Sequence, residues 1–135
     1  MNKRVLVIED SISQAALTRL ELEKLGYEVK VVYDGPEGIE AAKDYIPGVI
    51  ILDCNLPSMS GMDVCRALKN QPETRIIPVI MFSVDDRLTQ MSNAFSAGVD
   101  FYVTKDRSGS KGLPRLVEAV YQKYARAAGS PASAQ

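Results

Sequence analysis

Histidine is absent from the 135 residues of this chain. Histidine is the commonest general base and metal ligand in proteins, so its absence excludes a Ser-His-Asp triad and any site built on imidazole. The chain also cannot carry a phosphohistidine of its own. Its chemistry must therefore use carboxylates, hydroxyls, lysines or backbone groups.

Cysteines and long apolar runs are scarce as well. Cys54 and Cys65 form no CxxC pair, so we interpret them as reduced thiols of a cytoplasmic protein. No apolar run approaches the roughly 20 residues that cross a membrane, so no membrane partner is expected. The short run Val5–Ile8 ends in an acidic pair and lacks the length and cleavage site of a signal peptide.

The chain has no excess of positive charge either: 16 basic residues stand against 17 acidic ones. Nucleic acids are held mainly through their phosphates by basic surfaces, so this balance argues against direct binding of DNA or RNA. A hydrophobic content of 46% in 135 residues is enough to bury the core of one domain.

Five apolar segments alternate with five segments of helical periodicity. The strands are predicted at about 4–8, 27–33, 49–52, 77–82 and 101–104. The helices are predicted at about 11–25, 34–46, 62–70, 86–97 and 112–125. This alternation predicts an α/β domain over residues 1–126 whose parallel sheet is covered on both faces. Residues 127–135 are rich in Ala, Gly, Ser and Pro, which is typical of a flexible tail or a truncated linker.

Polar residues follow the predicted strands where the apolar runs end. They are Glu9 and Asp10, Asp53, Ser83, and Lys105. Binding sites of open parallel sheets form beyond the carboxyl ends of the strands. We therefore expect these side chains to share one crevice.

Three of these residues are acids, and acids in one crevice repel each other unless a cation intervenes. If the first and third strands are neighbours, Glu9, Asp10 and Asp53 converge there. Mg²⁺ prefers oxygen ligands and binds through one or two carboxylates together with phosphate. Lys105 adds a second positive charge. The sequence thus predicts a magnesium site.

Such a site suits phosphoryl transfer, in which a protein mainly positions groups and stabilises charge. Asp53 can act as a nucleophile and form an aspartyl-phosphate. The metal, Lys105 and the Ser83 hydroxyl would each bind a phosphoryl oxygen.

Two of these residues have structural alternatives. Asp10 alone could cap the first helix, because acids favour helix N-termini. Ser83, with Asp86 three residues later, has the spacing of a capping box for the fourth helix.

The same residues resemble the receiver domains of two-component response regulators, over about residues 3–126. The resemblance lies in the motifs Val7-Ile8-Glu9-Asp10, Ile50-Ile51-Leu52-Asp53, Asn55-Leu56-Pro57, Ser60-Gly61-Met62-Asp63, Met81-Phe82-Ser83 and Ala97-Gly98-Val99-Asp100-Phe101-Tyr102-Val103-Thr104-Lys105. Each motif is weak alone. Their order and spacing together are specific to the family.

The resemblance implies a flavodoxin-like sheet of order 2-1-3-4-5 with five helices. It implies that Asp53 is the phospho-acceptor and that Lys105 contacts the phosphoryl group. Mg²⁺ would be bound by Glu9, Asp10, Asp53 and the backbone carbonyl of Asn55. Ser83 and Tyr102 would form the switch pair.

The resemblance also implies partners. A sensor histidine kinase or a phosphotransfer protein would be the donor. The surface of helix four, strand five and helix five would bind a downstream protein, with Arg87, Gln90, Arg115 and Gln122 as candidate contacts. The chain would accept and hydrolyse its own phosphoryl group rather than process an independent substrate. It would act either alone or as a piece of a longer protein.

Three residues depart from the family pattern. Asp106 replaces the proline that usually follows the strand-five lysine, so the loop 106–111 should differ locally and a cis bond is not expected. Val84 replaces a small residue and would narrow access to the phosphoryl group. Cys54 directly follows the acceptor and could make the site sensitive to oxidation.

Three other functions fit the sequence less well. The complete set of acceptor residues argues against a receiver-like module that is never phosphorylated, but Asp106 and Val84 keep this alternative open. A phosphohydrolase with an aspartate nucleophile usually has a second aspartate two residues on, where this chain has Asn55, which cannot donate a proton. A flavin carrier would need a phosphate loop where Glu9-Asp10-Ser11 would repel the phosphate.

Overall fold

The computed structural model describes residues 2–105 and 112–127, and there strands and helices alternate throughout. The strands are β1 Arg4–Ile8, β2 Glu28–Val32, β3 Val49–Leu52, β4 Val79–Ser83 and β5 Phe101–Thr104. The helices are α1 Ile12–Lys24, α2 Gly35–Tyr45, α3 Gly61–Lys69, α4 Leu88–Ser96 and α5 Gly112–Ala127.

All five strands are parallel, in the order β2-β1-β3-β4-β5. This confirms the flavodoxin-like arrangement. The order of strands reverses between β1 and β3, where Ile8 lies opposite Leu52. The residues that follow these two strands therefore come together at one edge of the sheet.

The core has two layers, one on each face of the sheet. Leu6, Ile8, Ile50 and Leu52 point into one layer, which α2, α3 and α4 cover. The alternate residues of the same strands point into the other layer, together with side chains of α1 and α5. Burial on both faces explains why these strands read as continuous apolar runs.

The start of α1 decides between the two interpretations of Asp10. Ser11 is the N-cap of this helix, and its Oγ accepts a hydrogen bond from the Gln14 N–H at 3.3 Å. Ser11 rather than Asp10 is therefore the cap of α1, and the role of Asp10 in a metal site stays a prediction.

The start of α4 differs from the prediction. The helix begins at Leu88, with Arg87 as its N-cap, rather than at Asp86. The Asp85 carboxylate accepts hydrogen bonds from both the N–H and the Nε of Arg87, each at 3.0 Å, and so holds a turn before the helix. The prediction that Ser83 caps α4 is therefore wrong: its Oγ accepts from the Asp85 N–H at 3.2 Å instead.

The remaining boundaries agree to within about two residues, the usual uncertainty of helix and strand ends. β2 is one residue shorter at each end than predicted, and β4 begins at Val79 rather than Ile77. The expectations for the loop 106–111 and for the tail beyond Ala127 lie outside the described residues. Within the described part of the chain, no helix is both long and apolar enough to cross a membrane.

Candidate functional site

Three carboxylates meet at the carboxyl edge of β1 and β3. Glu9, Asp10 and Asp53 each offer one oxygen, and these oxygens all lie within 4.8 Å of one another. Glu9 and Asp53 are buried, whereas Asp10 is exposed. Two acids of the cluster are therefore buried, and the cluster is open to solvent at Asp10.

Lys105 provides the positive charge of the site. Its Nζ lies 2.5 Å from Glu9 Oε1 and 3.5 Å from Asp53 Oδ2, and its side chain is only 12% exposed. The Lys105 N–H donates to the Ser83 carbonyl at 2.7 Å, which extends the pairing of β4 and β5 by one residue. This backbone hydrogen bond thus fixes the position from which the Lys105 side chain reaches the acids.

The surroundings of Glu9 change the acidity of its carboxyl group. The pKa of Glu9 is raised from 4.5 to about 7, chiefly by burial and then by the adjacent Asp53 carboxyl, while Lys105 opposes both effects. A carboxyl that is buried beside another acid keeps its proton longer, which is the expected result of desolvation and like charge. Glu9 therefore keeps its proton to a higher pH than an exposed glutamate does.

The proposed switch residues lie on the side of β4 and β5. Ser83 is fully buried at the carboxyl end of β4, next to the strand that ends before Asp53. Tyr102 is half-buried on β5, and its hydroxyl donates to the Asp85 carbonyl at 2.5 Å. The structure thus connects β5 directly to the turn between β4 and α4.

Asp53, the candidate phospho-acceptor, is the first residue after β3. The Asn55 N–H donates to Asp53 Oδ1 at 3.2 Å, which orients the carboxylate, and the Asn55 side chain is exposed. Gln90 Nε2 lies 2.7 Å from the sulfur of Cys54. Burial raises the pKa of the Cys54 thiol, so it stays protonated at neutral pH. Oxidation sensitivity of this residue stays a prediction.

Sequence reasoning missed one acid at the same edge of the sheet. Asp34 lies two residues after the end of β2, and the sequence suggested only a helix start there. The structure confirms Asp34 as the N-cap of α2, and its carboxylate also accepts a hydrogen bond from the N–H of Ser58, in the loop after β3. The signal that could have found it was its position directly after the predicted strand 27–33.

The donor set fits a hard divalent cation. Three carboxylate oxygens within 4.8 Å form an oxygen-rich cluster with more negative charge than Lys105 alone can balance. Mg²⁺ favours such oxygen ligands and retains water or phosphate in its other positions.

Comparison with known proteins identifies the family. The sequence model of the response regulator receiver domain matches residues 5–118. The chain belongs to this family, whose members are signalling domains of two-component systems.

Individual relatives agree with the family assignment. The uncharacterized transcriptional regulatory protein YclJ of Bacillus subtilis is 36% identical over 121 residues, which make up 90% of this chain and 52% of that protein. The chain spans about half the length of this relative and of the phosphate-regulon regulator PhoB of Rhizobium meliloti.

Solved structures show the same fold at high coverage. The signal receiver domain of a histidine kinase from Syntrophus aciditrophicus is 31% identical with a TM-score of 0.81, covering 89% of this chain and 90% of that one. The receiver domain of a sensor histidine kinase from Pseudomonas aeruginosa PAO1 is 25% identical with a TM-score of 0.79, covering 88% and 97%. That structure has a magnesium ion coordinated in its active site cleft.

Proposed function

We propose that this chain is a phospho-acceptor switch in which Asp53 takes up a phosphoryl group in a Mg²⁺-dependent reaction. The observation that carries this proposal is the meeting of Glu9, Asp10 and Asp53 within 4.8 Å, with the Lys105 ammonium against two of them. The magnesium-bound receiver from Pseudomonas aeruginosa supports the choice of metal.

The chemistry assigned to the site is a direct displacement at phosphorus. An oxygen of the ionised Asp53 carboxylate attacks the phosphorus, the bond from phosphorus to the donor nitrogen breaks, and the nitrogen leaves with the electron pair. Glu9, Asp10, Asp53 and the Asn55 carbonyl would hold Mg²⁺, which would neutralise negative charge on the phosphoryl oxygens. Lys105 and the Ser83 hydroxyl bind two phosphoryl oxygens from the β5 and β4 sides.

The donor we propose is the phosphohistidine of a sensor kinase or of a phosphotransfer protein in the cytoplasm. The aspartyl-phosphate would be lost again by hydrolysis within the same site. Charge balance supports a protein partner rather than DNA or RNA, although YclJ and PhoB are named as transcriptional regulators.

The surface of α4, β5 and α5 is the proposed output. Ala94 is the one residue of α4 that is buried, while Leu88 is 81% and Phe95 50% exposed. A helix with so few buried contacts needs little free energy to shift. A rearrangement of Ser83 would reach it through the turn at Asp85, which also holds the Tyr102 hydroxyl.

The test is intact-protein mass spectrometry after incubation with acetyl phosphate, with and without Mg²⁺. We expect the gain of one phosphoryl group only with Mg²⁺, and no gain in Asp53→Asn, which keeps the size and one oxygen of the side chain. Labelling of Asp53→Asn at another aspartate would contradict the assignment. No labelling of the native chain would favour an interaction module that works without phosphorylation.

A further inference from the structure

A side-chain bridge joins the end of β2 to the loop after β3. Asp34 Oδ1 accepts hydrogen bonds from the Gly35 N–H at 2.7 Å and from the Ser58 N–H at 3.1 Å. The Ser58 hydroxyl donates to the other oxygen, Asp34 Oδ2. One carboxylate therefore holds both the backbone and the side chain of Ser58, 24 residues away in sequence.

The packing beneath this bridge is tight. A Cβ on Gly35 would lie 2.7 Å from Val64 Cγ2 and 3.2 Å from Met59 Cβ, so glycine lets the start of α2 approach α3 and the loop. A Cβ on Gly61 would lie 2.2 Å from the Asp53 carbonyl oxygen. The end of the loop at Gly61 is thus packed against the backbone of its start, and the side chain of Met59 is packed against the start of α2.

Hydrogen bonds hold the loop at three points along its length. The Asn55 N–H donates to Asp53 Oδ1 at its start, Asp34 holds Ser58 in the middle, and the Gly61 N–H donates to the Cys54 carbonyl at 2.8 Å at its end. Two residues separate Asn55 from Ser58, and one of them is Pro57 with its fixed φ. The position of Ser58 therefore restricts the orientation of the Asn55 peptide.

We propose that Asp34 is a positioning residue for the metal site: by holding Ser58 it fixes the loop that presents the Asn55 carbonyl to Mg²⁺. This inference rests on the proposed function, because it assumes that the Asn55 carbonyl is a ligand. The Ser58 hydroxyl also holds the pKa of Asp34 below its usual value, so the bridge is ionised throughout the neutral range. Residues that orient metal ligands contribute strongly to metal affinity in other proteins.

The simpler role of Asp34 is to cap α2, and the variants must separate the two roles. Ser58→Ala removes the bridge hydroxyl but leaves the capping acid in place. Ser58→Thr keeps a hydroxyl group and should therefore keep the native affinity for Mg²⁺. Glu37→Ala is a matched control for Asp34→Ala, because Glu37 is an exposed acid in the first turn of the same helix.

The measurement is the Kd for Mg²⁺ by titration calorimetry, together with the Mg²⁺-induced shift of the Asn55 and Leu56 amide resonances. We expect Ser58→Ala and Asp34→Ala each to raise the Kd by about tenfold, the lower end of the range for lost ligand-orienting partners. The double variant should lose no more than Asp34→Ala alone, because Asp34→Ala already removes both the hydroxyl bond that Ser58→Ala removes and the bond from the Ser58 N–H. Ser58→Thr and Glu37→Ala should stay within about twofold of the native chain.

Unfolding in EDTA shows whether each variant is folded before its Kd is compared. An unchanged Kd in Ser58→Ala, in a native background that binds Mg²⁺ and is labelled by acetyl phosphate, would overturn the inference and leave the proposed function intact. Weaker binding in Asp34→Ala but not in Ser58→Ala would also overturn it, since the bridge through the Ser58 hydroxyl would then contribute nothing to metal binding. A native chain that binds no Mg²⁺ would overturn both.

Discussion

At the scale of single residues, Glu9 has an ionisation that must respond to pH. Its pKa is raised to about 7, first by burial and then by Asp53. Mg²⁺ needs the ionised carboxylate, so protons compete with the metal below this pH. We expect the apparent Mg²⁺ affinity to rise by up to about tenfold per pH unit from pH 5 and to level off above about 7, as measured by calorimetry.

Glu9→Gln is the control for this profile, since it cannot titrate. It should bind Mg²⁺ more weakly but with little pH dependence in that range, and an equally steep profile would assign the proton to another group.

The stability of the metal-free protein should show the opposite trend with pH. Because the folded state holds the Glu9 proton up to about pH 7 and the unfolded state only to about 4.5, the free energy of unfolding falls as pH rises between these values.

The sequence located the acids and the lysine that the structure brings together at this edge of the sheet, but not their contacts. Glu9, Asp10, Asp53 and Lys105 could be located because apolar runs end directly before them. The contact of Lys105 with Glu9 joins residues 96 apart and depends on the strand order and on side-chain rotamers. Sequence patterns carry neither quantity, and for the same reason the Asp34–Ser58 bridge was missed.

At the scale of secondary-structure elements, α1 exposes apolar residues beside the candidate site. Ile12 is 71% and Leu20 52% exposed, and Ala16 lies between them at the same helical spacing. Ile12 begins the helix two residues after Asp10. A donor protein must approach this edge, so we expect Ile12→Ser/Leu20→Ser to slow phosphoryl transfer from a phosphohistidine donor protein by at least about tenfold, as loss of two buried apolar contacts would.

Labelling by acetyl phosphate separates docking from chemistry. The same double variant should be labelled by this small donor at the native rate, followed by mass spectrometry over time. Ile76→Ser removes a side chain that is 76% exposed, in the segment before β4, and should leave both rates unchanged. Equal slowing with both donors would mean that the α1 substitutions damage the site itself.

The elements themselves were largely predictable because apolar periodicity reports burial, and burial decides the strands of this sheet. The strand order 2-1-3-4-5 came from the family resemblance rather than from periodicity. The start of α4 was mispredicted because Asp85 competes locally: its carboxylate binds Arg87 and holds a turn where the pattern suggested a helix. Such side-chain to backbone competition is invisible to hydrophobic periodicity.

At the scale of the whole molecule, the cluster of acids should lower the stability of the fold when no metal is bound. Glu9 and Asp53 are buried beside each other, Asp10 lies within reach, and Lys105 balances only part of their charge. Asp53→Asn removes one like charge while keeping an oxygen for the Asn55 N–H. In EDTA we expect this variant to raise the free energy of unfolding by about 1 kcal/mol, the scale of one pKa unit of interaction.

In Mg²⁺ the native chain should instead be more stable than Asp53→Asn. At about 100 times its Kd, a ligand that binds only the folded state stabilises it by about 2.7 kcal/mol, and Asp53→Asn has lost one of the carboxylate ligands that gives the native chain this gain. Denaturant unfolding of both proteins in EDTA and in Mg²⁺ measures the two differences, with the exposed Glu73→Gln as a charge-matched control. The same rank order in both conditions would show that the cluster neither strains the fold nor binds the metal through Asp53. A reversal would mean that the residues which bind the metal are also the ones that limit the stability of the metal-free domain, because buried like charges favour folding only when a cation lies between them.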